Sequence, residues 1–476
     1  PSTNIEMSGR YEQNAITPTN LISGKELPIL LGLPRKSVPG LPVVEMAEFG
    51  RAVVYERPES VKRKIEFGNI YHMGNIEQLR VPINLDLLSS HCFITGSSGS
   101  GKSYATYQLI DAALRQGIKM LVIESAKGEY KQVFGRMHGI RIFNTDPHLY
   151  QLLKINPFKF PENISLLTHM EKIMQIFNAS WTLTAAMPSI LKESVIRAYV
   201  NCGWDVDASV WIPGLSERKY PVFQDVLKLL PQIINESDYS AEAKGDYKGA
   251  LLTRVQSMTS GIAGSVFEDD NGLPDSVLFD ENTVVDLSEI GSEETIALVM
   301  GIIIMKLGEY RLSVRKANSD GNTRDSDLQH VTILEEAHNL LKRTSKLSAG
   351  ADIVGKSVEM ISNSIKEMRT YGEGFIIIDQ SPMAVDTSAI ENTSTKIIMN
   401  TPAKDACEEL GSALSLNEEQ TRELSRMDVG VAAVFQKGWL TPVLMKVDKA
   451  WDSEKYGAEL QTIDFTELRR VRSELM

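Results

Sequence analysis

The chain has 476 residues, of which 42% are hydrophobic and 24% are charged, and its formal net charge at pH 7 is −12. This composition is typical of a folded globular protein and excludes a disordered or fibrous chain. The acidic balance argues against nucleic-acid binding over the whole surface, but it allows binding in a locally basic channel. The length suits a large α/β domain with an insertion, plus a smaller partner domain.

The cysteines and the apolar runs bear on the compartment in which the protein works. Cys92, Cys202 and Cys407 are far apart and odd in number. They argue against a disulfide framework and a cysteine metal site, and they favour the reducing cytoplasm. No apolar run reaches the roughly 20 residues of a membrane span, and the longest, at 297–305, predicts a buried helix. No signal peptide is recognisable, so we expect a cytoplasmic protein without a membrane anchor.

The first part of the chain, residues 1–85, predicts a small β module. Short apolar runs, for example at 29–31, 52–55 and 65–70, alternate with prolines and turn residues. Closely spaced short strands of this kind are typical of a small barrel or sheet. We therefore expect a barrel-like module, which looks incomplete, ahead of the main domain.

A phosphate-binding motif follows the apolar run at residues 91–95. The pattern G-x-x-x-x-G-K-[ST] is matched by Gly96, Ser97, Ser98, Gly99, Ser100, Gly101, Lys102 and Ser103. Tyr104 follows as the first residue of a segment with helical periodicity, and it is included in the expected nucleotide site. Strand, glycine-rich turn and helix together predict a P-loop, in which backbone N–H groups and the helix N-terminus bind phosphates. Lys102 is expected to reach the β- and γ-phosphates and Ser103 to hold Mg²⁺. The alternative is a glycine-rich surface loop that matches the motif by chance.

From residue 91 onward, strands alternate with longer helices, which predicts an α/β fold. We expect a RecA-like P-loop ATPase core at 86–450, with a mostly parallel sheet and helices on both faces. The predicted strand at 119–123 ends in a polar group at 124–130, at the sheet edge where ligands bind in such folds. A solvated loop is the alternative for these polar residues.

The remaining elements are predicted from periodicity and turn residues. In chain order they are a strand end at 156–158, a mostly helical insertion at about 165–275, a strand at 282–287, a long helix at 293–311, a polar flexible loop at 313–329, a strand at 330–334, a helix at 354–371, strands at 375–378, 396–399, 431–435 and 443–447, and a helical tail at 451–476.

Two adjacent acidic residues follow the predicted strand at 330–334. Glu335 is expected to help hold Mg²⁺, and Glu336 to orient and deprotonate the attacking water. Capping of a helix is the alternative for such a pair. Gln380 ends the next predicted strand and is the candidate sensor of the γ-phosphate, with turn capping as its alternative.

These motifs, in this order, resemble the HerA–FtsK superfamily of ring-forming DNA translocases, and specifically its HerA-like branch. The resemblance covers residues 70–446, and its most selective parts are LEEAH at 334–338 and DQSP at 379–382. It implies a hexameric ring with ATP and Mg²⁺ between neighbouring subunits and double-stranded DNA in the centre. It also implies an arginine that acts on the neighbour's nucleotide, and Arg369 stands at the matching position; a favourable helix C-terminus is its alternative role. Weaker candidates are Arg311, Arg315, Arg422 and Arg426.

HerA-like proteins usually work with a partner, either a nuclease or, in bacterial antiviral defence, a nuclease or sirtuin-like effector. This sequence shows no cluster of metal-binding histidines and carboxylates for a nuclease, so we expect any effector to be another chain. The leading hypothesis is a DNA helicase or translocase, and the alternatives are an ATP-dependent ring scaffold that regulates an effector and a secretion-type translocation ATPase. Basic residues that could line the channel are Lys127, Lys131, Lys244, Lys248 and Arg254.

Overall fold

A computed structural model gives the fold of the chain. It describes residues 46–56, 63–135, 137–145, 150–317, 327–344 and 349–448, together with Ser37, Pro39 and Val43. The chain divides into two units, residues 1–48 and 49–476. All helices and strands named below belong to the second unit.

Fourteen strands are present in the described part of the chain. They are β1 (Lys64–His72), β2 (Asn75–Asn84), β3 (Cys92–Thr95), β4 (Lys119–Glu124), β5 (Ile140–Asn144), β6 (Gln151–Leu152), β7 (Trp204–Asp205), β8 (Val210–Trp211), β9 (Asn282–Asp286), β10 (His330–Leu334), β11 (Glu373–Asp379), β12 (Thr395–Met399), β13 (Val431–Gln436) and β14 (Val443–Val447).

Twelve of these strands form one sheet, in the order β2-β1-β14-β13-β12-β3-β11-β10-β4-β9-β5-β6. From β12 to β6 every neighbouring pair is parallel. The pairs from β2 to β12 are antiparallel. Because β3, β11, β10 and β4 are parallel neighbours, the loops that follow them meet at one edge of the sheet.

The central strands are buried on both faces. Every residue of β3, β10, β11 and β12 is buried, which agrees with their almost continuous apolar sequences. Continuous rather than alternating apolar runs are typical of parallel strands covered by helices on both sides. The rigid centre of the sheet therefore supports the loops at its edge.

The described helices are α1 (Lys102–Arg115), α2 (Glu129–Phe134), α3 (Leu166–Ser180), α4 (Met187–Asn201), α5 (Phe223–Glu236), α6 (Ala241–Ser257), α7 (Gly261–Phe267), α8 (Asp275–Phe279), α9 (Glu293–Ala317), α10 (Ala349–Met368), α11 (Thr387–Glu391), α12 (Lys404–Ala413) and α13 (Glu418–Glu423). Among the described residues, no helix is both long and apolar enough to cross a membrane.

The long helix α9 lies inside the molecule. Residues 295–307 are buried without interruption, as expected for a helix that is apolar on all sides. Helix α3 packs against both α9 and α10. The predicted insertion at 165–275 therefore begins with a helix that belongs to the packing of the main domain.

The motif at residues 156–158 is a loop rather than the end of a strand. The buried Asn156 amide donates to the carbonyls of Pro221, at 3.0 Å, and Asp270, at 2.7 Å. Its Oδ1 accepts from the Phe158 N–H at 2.9 Å. Asn156 thus ties together loops from both ends of the helical region, a role that its local sequence could not indicate.

The boundary predicted at residue 85 is wrong for the two strands that precede it. In the antiparallel pair of β1 and β14, Gly68 lies opposite Val447 and Ile70 opposite Met445. Strands β1 and β2 therefore extend the main sheet instead of forming a separate module. Their partner lies at the far end of the described chain, so local sequence could not reveal the pairing. Most of residues 1–45 and the predicted tail at 451–476 lie outside the described residues.

The polar loop predicted at 313–329 begins too early. Helix α9 continues to Ala317 because polar residues in its last turns have tertiary partners. Arg315 donates to Thr370 Oγ1 at 3.2 Å, and Lys316 donates to the carbonyl of Asn163 at 3.2 Å. Residues 318–326 of the predicted loop lie outside the described residues.

Candidate active site

The P-loop connects β3 to the N-terminus of α1 at the carboxyl edge of the sheet. Gly101, directly before α1, has φ 110°, a left-handed conformation that suits glycine. A Cβ at this position would lie 3.3 Å from the Cα of Gly430 and 3.2 Å from Met399 Cε. The motif therefore needs glycine here for its backbone angle and for the close packing beneath it.

A loop from a neighbouring strand holds the P-loop in place. The Ser97 N–H donates to the carbonyl of Asn400 at 2.8 Å, and the Gly430 N–H donates to the carbonyl of Ser100 at 2.8 Å. The Asn400 amide in turn donates to the carbonyl of Met427 at 2.7 Å. The two segments after β12 and before β13 thus fix the shape of the loop from outside the motif.

Lys102 is buried beneath the loop. Its ammonium group donates to the carbonyls of Gly96, at 2.6 Å, and Ser97, at 3.0 Å. Burial lowers the pKa of Lys102, and the nearby carboxylates of Glu335 and Glu336 oppose this shift. A buried ammonium group whose hydrogen bonds go only to carbonyl oxygens is strongly stabilised when an anionic phosphate binds beside it.

Glu335 follows β10, which lies beside β4 and β11. The Tyr130 hydroxyl, on α2, donates to Glu335 Oε2 at 2.8 Å. Burial raises the pKa of Glu335 to about 7, while the bond from Tyr130 acts in the opposite direction. The hydrogen bond from Tyr130 replaces only part of the hydration that the carboxylate loses on burial. A carboxylate in this situation is suited to binding a cation.

The polar segment after β4 supports this arrangement. Glu124, at the end of β4, accepts from the N–H groups of Glu129, at 2.6 Å, and Tyr130, at 3.0 Å. The Ser125 hydroxyl donates to the carbonyl of Glu335 at 3.1 Å. Burial raises the pKa of Glu124 to about 7. The predicted polar cluster at 124–130 therefore orients the start of α2 and, through it, Tyr130.

Glu336 and Gln380 are brought together as the parallel strands β10 and β11 end side by side. The Gln380 amide donates to Glu336 Oε1. Glu336 has φ 49°, a left-handed conformation that is uncommon for glutamate. Such backbone strain is often found at functional sites, where the surroundings impose it. Here the hydrogen bond from the Gln380 amide holds the carboxylate of Glu336 in place.

His338 and Asp379 are site residues that the sequence did not single out. Asp379 Oδ2 accepts from the His338 N–H at 2.8 Å and lies 2.9 Å from His338 Nδ1. The hydrogen bond with Asp379 raises the pKa of His338. Ligand atoms of Glu336, His338 and Asp379 lie within 4.8 Å of one another. The motifs at 334–338 and 379–382 are thus joined by two side-chain contacts.

Arg369 lies away from this cluster, at the opposite edge of the sheet. It begins a 3-10 helix, Arg369–Tyr371, just before β11, whereas Gln380 directly follows β11. The seven residues of β11, at about 3.3 Å per residue, separate the two edges by about 20 Å. Arg369 therefore cannot reach a nucleotide bound to the P-loop of its own chain.

The other arginine candidates differ in their contacts. Arg311 is engaged by Asp280 and Glu373, and Arg315 donates to Thr370 Oγ1 at 3.2 Å. Arg422 pairs with Glu418 at 3.3 Å. Among the described arginines, Arg369 and Arg426 are the two whose side chains make no hydrogen bond or ion pair with described residues. Arg426 lies in the loop beside the P-loop of its own subunit.

Some of the basic residues that were predicted to line a DNA channel are engaged in contacts within the chain. Lys131 pairs with the buried Asp286 at 2.6 Å, and Arg254 lies 3.9 Å from Glu294. Lys127 lies 3.7 Å from Glu129, and Lys244 donates to the carbonyl of Asn235 at 2.8 Å. Lys248 is exposed on α6. No described contact brings these five residues together.

The site fits a nucleoside triphosphate with Mg²⁺. Ser103 is half-buried in the first turn of α1. Glu335 uses Oε2 for Tyr130, and Oε1 makes no hydrogen bond to a described residue. A hydroxyl and a carboxylate are oxygen ligands of the kind that Mg²⁺ prefers.

Comparisons with known proteins identify the family of the chain. Residues 65–307, just over half of the chain, match the family model described as the central domain of helicase HerA. A DNA double-strand break repair helicase HerA from Sulfurisphaera tokodaii is 21% identical over 86% of this chain and 76% of its own length.

Two solved structures share the fold. VirB4 of Thermoanaerobacter pseudethanolicus has a TM-score of 0.59 and 17% identity, covering 82% of this chain and 98% of its own. The bacterial conjugative coupling protein TrwB has a TM-score of 0.56 and 11% identity, covering 86% and 96%. With the P-loop and the acidic pair after β10, the fold defines the protein as a P-loop ATPase.

The particular family follows from the matched model. The chain belongs to the HerA helicase family, which confirms the resemblance found in the sequence. The family match starts within β1 and ends within α9, so it includes the P-loop and the helical region. The acidic pair Glu335–Glu336, Gln380 and Arg369 all lie after the matched range. The structure, and not the family match, places the acidic pair and Gln380 at the same sheet edge as the P-loop.

Proposed function

We propose that the protein is an ATP-driven translocase of double-stranded DNA that works as a homohexameric ring. The observation that carries this proposal is the position of Arg369, at the sheet edge opposite the P-loop. A subunit that carries the P-loop at one sheet edge and Arg369 at the other is suited to head-to-tail assembly. Such assembly closes into a ring when the rotation between neighbouring subunits adds up to a full turn. The DNA substrate is supported by the names of relatives, a DNA repair helicase and a conjugative coupling protein.

Each protein group has a defined task in the proposed hydrolysis. The P-loop N–H groups and Lys102 hold the phosphates. Ser103 and Glu335 would hold Mg²⁺, which would neutralise phosphate charge. Glu336 takes a proton from the attacking water, and Gln380 reports the loss of the γ-phosphate through its bond to Glu336. Arg369 of the neighbouring subunit stabilises the charge that develops on the γ-phosphate.

A comparison of ATP hydrolysis with and without linear duplex DNA tests the proposal. We expect DNA to stimulate hydrolysis, and we expect the stimulation to fall steeply between about 50 and 200 mM salt because binding releases counterions. The Glu336→Gln variant is the control for contaminating ATPases. Equal rates with and without DNA at every salt concentration would contradict translocation.

We also propose that an effector, a nuclease or a sirtuin-like enzyme of antiviral defence, is a separate chain. Within the part of the chain that the structure describes, the one group of His, Asp and Glu close enough to hold a metal is Glu336, His338 and Asp379. That group belongs to the ATPase site. A copurified or neighbouring gene product that gains nuclease or NAD-cleaving activity on adding this protein would support the pairing.

A ring scaffold with little translocation is a second candidate. The net charge of −12 and the pairing of Lys131 and Arg254 with carboxylates favour it. It predicts hydrolysis that is unchanged by DNA, together with effector activity that requires the assembled ring. A secretion-type ATPase, the third candidate, instead predicts association with a membrane-bound partner.

A further inference from the structure

A cavity of about 320 Å³ lies at the sheet edge opposite the P-loop. It is lined by the end of α10, the segments before β3 and β12, and the turn after β13. Its charged lining residues are Lys366, Arg369, Lys437 and Glu391. The three cations come from two parts of the chain, the end of α10 and the turn after β13, and line one space.

These three cations make no ion pair within the described structure. The side chains of Lys366, Arg369 and Lys437 are exposed and form no hydrogen bond or ion pair with described residues. Glu391 leaves the lining with an excess of two positive charges. Because like charges around a small space repel one another, an anion that enters the cavity is favoured.

The phosphates bound to the P-loop of the same subunit are too far away to be this anion. The P-loop of the same subunit lies beyond the full length of β11, about 20 Å away. Lys437 is held at the cavity because its N–H donates to the carbonyl of Ser394 at 2.8 Å. Lys366 lies three residues before Arg369 along the chain, so their side chains share one face of the end of α10.

We propose that Lys437 and Lys366 act together with Arg369 as a cation clamp on the triphosphate held by the neighbouring subunit. This inference rests on the proposed function and extends it from one arginine to three cations. A cavity of this volume admits a phosphate chain, whereas duplex DNA presents phosphates along an extended row. The planar guanidinium can bridge two oxygens of one phosphate, and the ammonium groups add point charges.

Substitutions at Lys437 test the clamp. We expect Lys437→Ala to lower kcat about tenfold, which corresponds to about 1.4 kcal/mol of transition-state stabilisation. Lys437→Arg keeps the charge and should retain most of the activity, and Lys366→Ala should lower kcat in the same direction. Lys404→Ala is the matched control, because Lys404 is exposed and lies 3.5 Å from Glu408 alone among the described carboxylates.

Mixed rings separate a role in the neighbour from a structural role. A Lys437→Ala subunit keeps its own P-loop and acidic pair, and a Glu336→Gln subunit keeps its clamp. An interface is complete when its P-loop and acidic pair come from a Lys437→Ala subunit and its clamp comes from a Glu336→Gln subunit. Random mixing at equal amounts gives this combination at about one interface in four, so the hydrolysis rate should exceed that of either variant alone. Unfolding temperatures of all variants should match the wild type because the mutated side chains are exposed.

Three results would overturn the clamp. One is unchanged kcat in Lys437→Ala, and another is loss of activity without recovery in mixed rings. The third is normal hydrolysis without DNA combined with weakened DNA binding, which would assign the cavity to nucleic acid. The proposed function fails separately, when the wild-type protein itself neither assembles nor responds to DNA.

Discussion

At the residue scale, the proposed function assigns phosphate binding to Lys102 and activation of the attacking water to Glu336. Lys102 lies under the P-loop, so Lys102→Ala should weaken ATP binding at least tenfold, which is about 1.4 kcal/mol. Glu336→Gln should bind ATP with wild-type affinity but hydrolyse it about 10²–10⁴ times more slowly, because a positioned base is lost. Equilibrium binding of a fluorescent ATP analogue and steady-state hydrolysis measure the two effects. Equal loss of binding and hydrolysis in Glu336→Gln would contradict its role as the base.

Tyr130 is a positioning residue that local sequence did not reveal. Its hydroxyl donates to Glu335 Oε2 at 2.8 Å, and its ring packs against Tyr107 with centroids 5.2 Å apart. Tyr130→Phe should weaken the apparent Mg²⁺ affinity about fivefold, or about 1 kcal/mol, because Glu335 loses its hydrogen-bond donor. Mg²⁺ titration of nucleotide binding measures this change.

The neighbouring tyrosine provides the control for Tyr130. The Tyr107 hydroxyl donates to Glu129 Oε2 at 3.4 Å, whereas Tyr130 donates to Glu335, so Tyr107→Phe should leave the Mg²⁺ dependence unchanged. A similar shift in both variants would show that loss of packing, and not orientation of Glu335, is responsible.

At the element scale, the end of α9 braces the turn that carries Arg369. Arg315 donates to Thr370 Oγ1 at 3.2 Å, and its guanidinium lies 5.3 Å from the centroid of the Tyr371 ring. Arg315→Ala removes both contacts, each worth about 0.5–1 kcal/mol at an exposed site. We expect kcat to fall severalfold while ATP binding is unchanged.

Lys316 offers a matched control on the same helix turn. Its ammonium donates to the carbonyl of Asn163 at 3.2 Å, away from the Arg369–Tyr371 turn, so Lys316→Ala should keep the wild-type kcat. If both substitutions lower kcat equally, the effect reflects the end of α9 as a whole, and the bracing role of Arg315 is wrong.

Local signals predicted the strands and loops that form the proposed nucleotide site. The P-loop, the acidic pair and Gln380 each follow a buried apolar strand, and adjacency of parallel strands brought the last two into contact. Asp379, His338 and Tyr130 were missed as site residues because their roles depend on partners that are 41 and 205 residues distant. The same limit explains β1 and β2, whose place in the sheet depends on pairing with β14.

At the scale of the whole molecule, the sheet separates two functions of one subunit. Its carboxyl edge holds the P-loop, Glu335, Glu336 and Gln380, and its amino edge holds Arg369. Under the proposed function, each nucleotide is bound by one subunit and completed by the next. Hydrolysis can then respond to the relative position of two subunits, which is what a motor requires.

Hydrolysis per subunit across a dilution series, with particle mass measured in the same samples, tests this account most directly. We predict that the rate per subunit falls in parallel with the fraction of assembled rings, because an isolated subunit lacks Arg369 at its nucleotide. Full-rate hydrolysis by monomers would contradict the account.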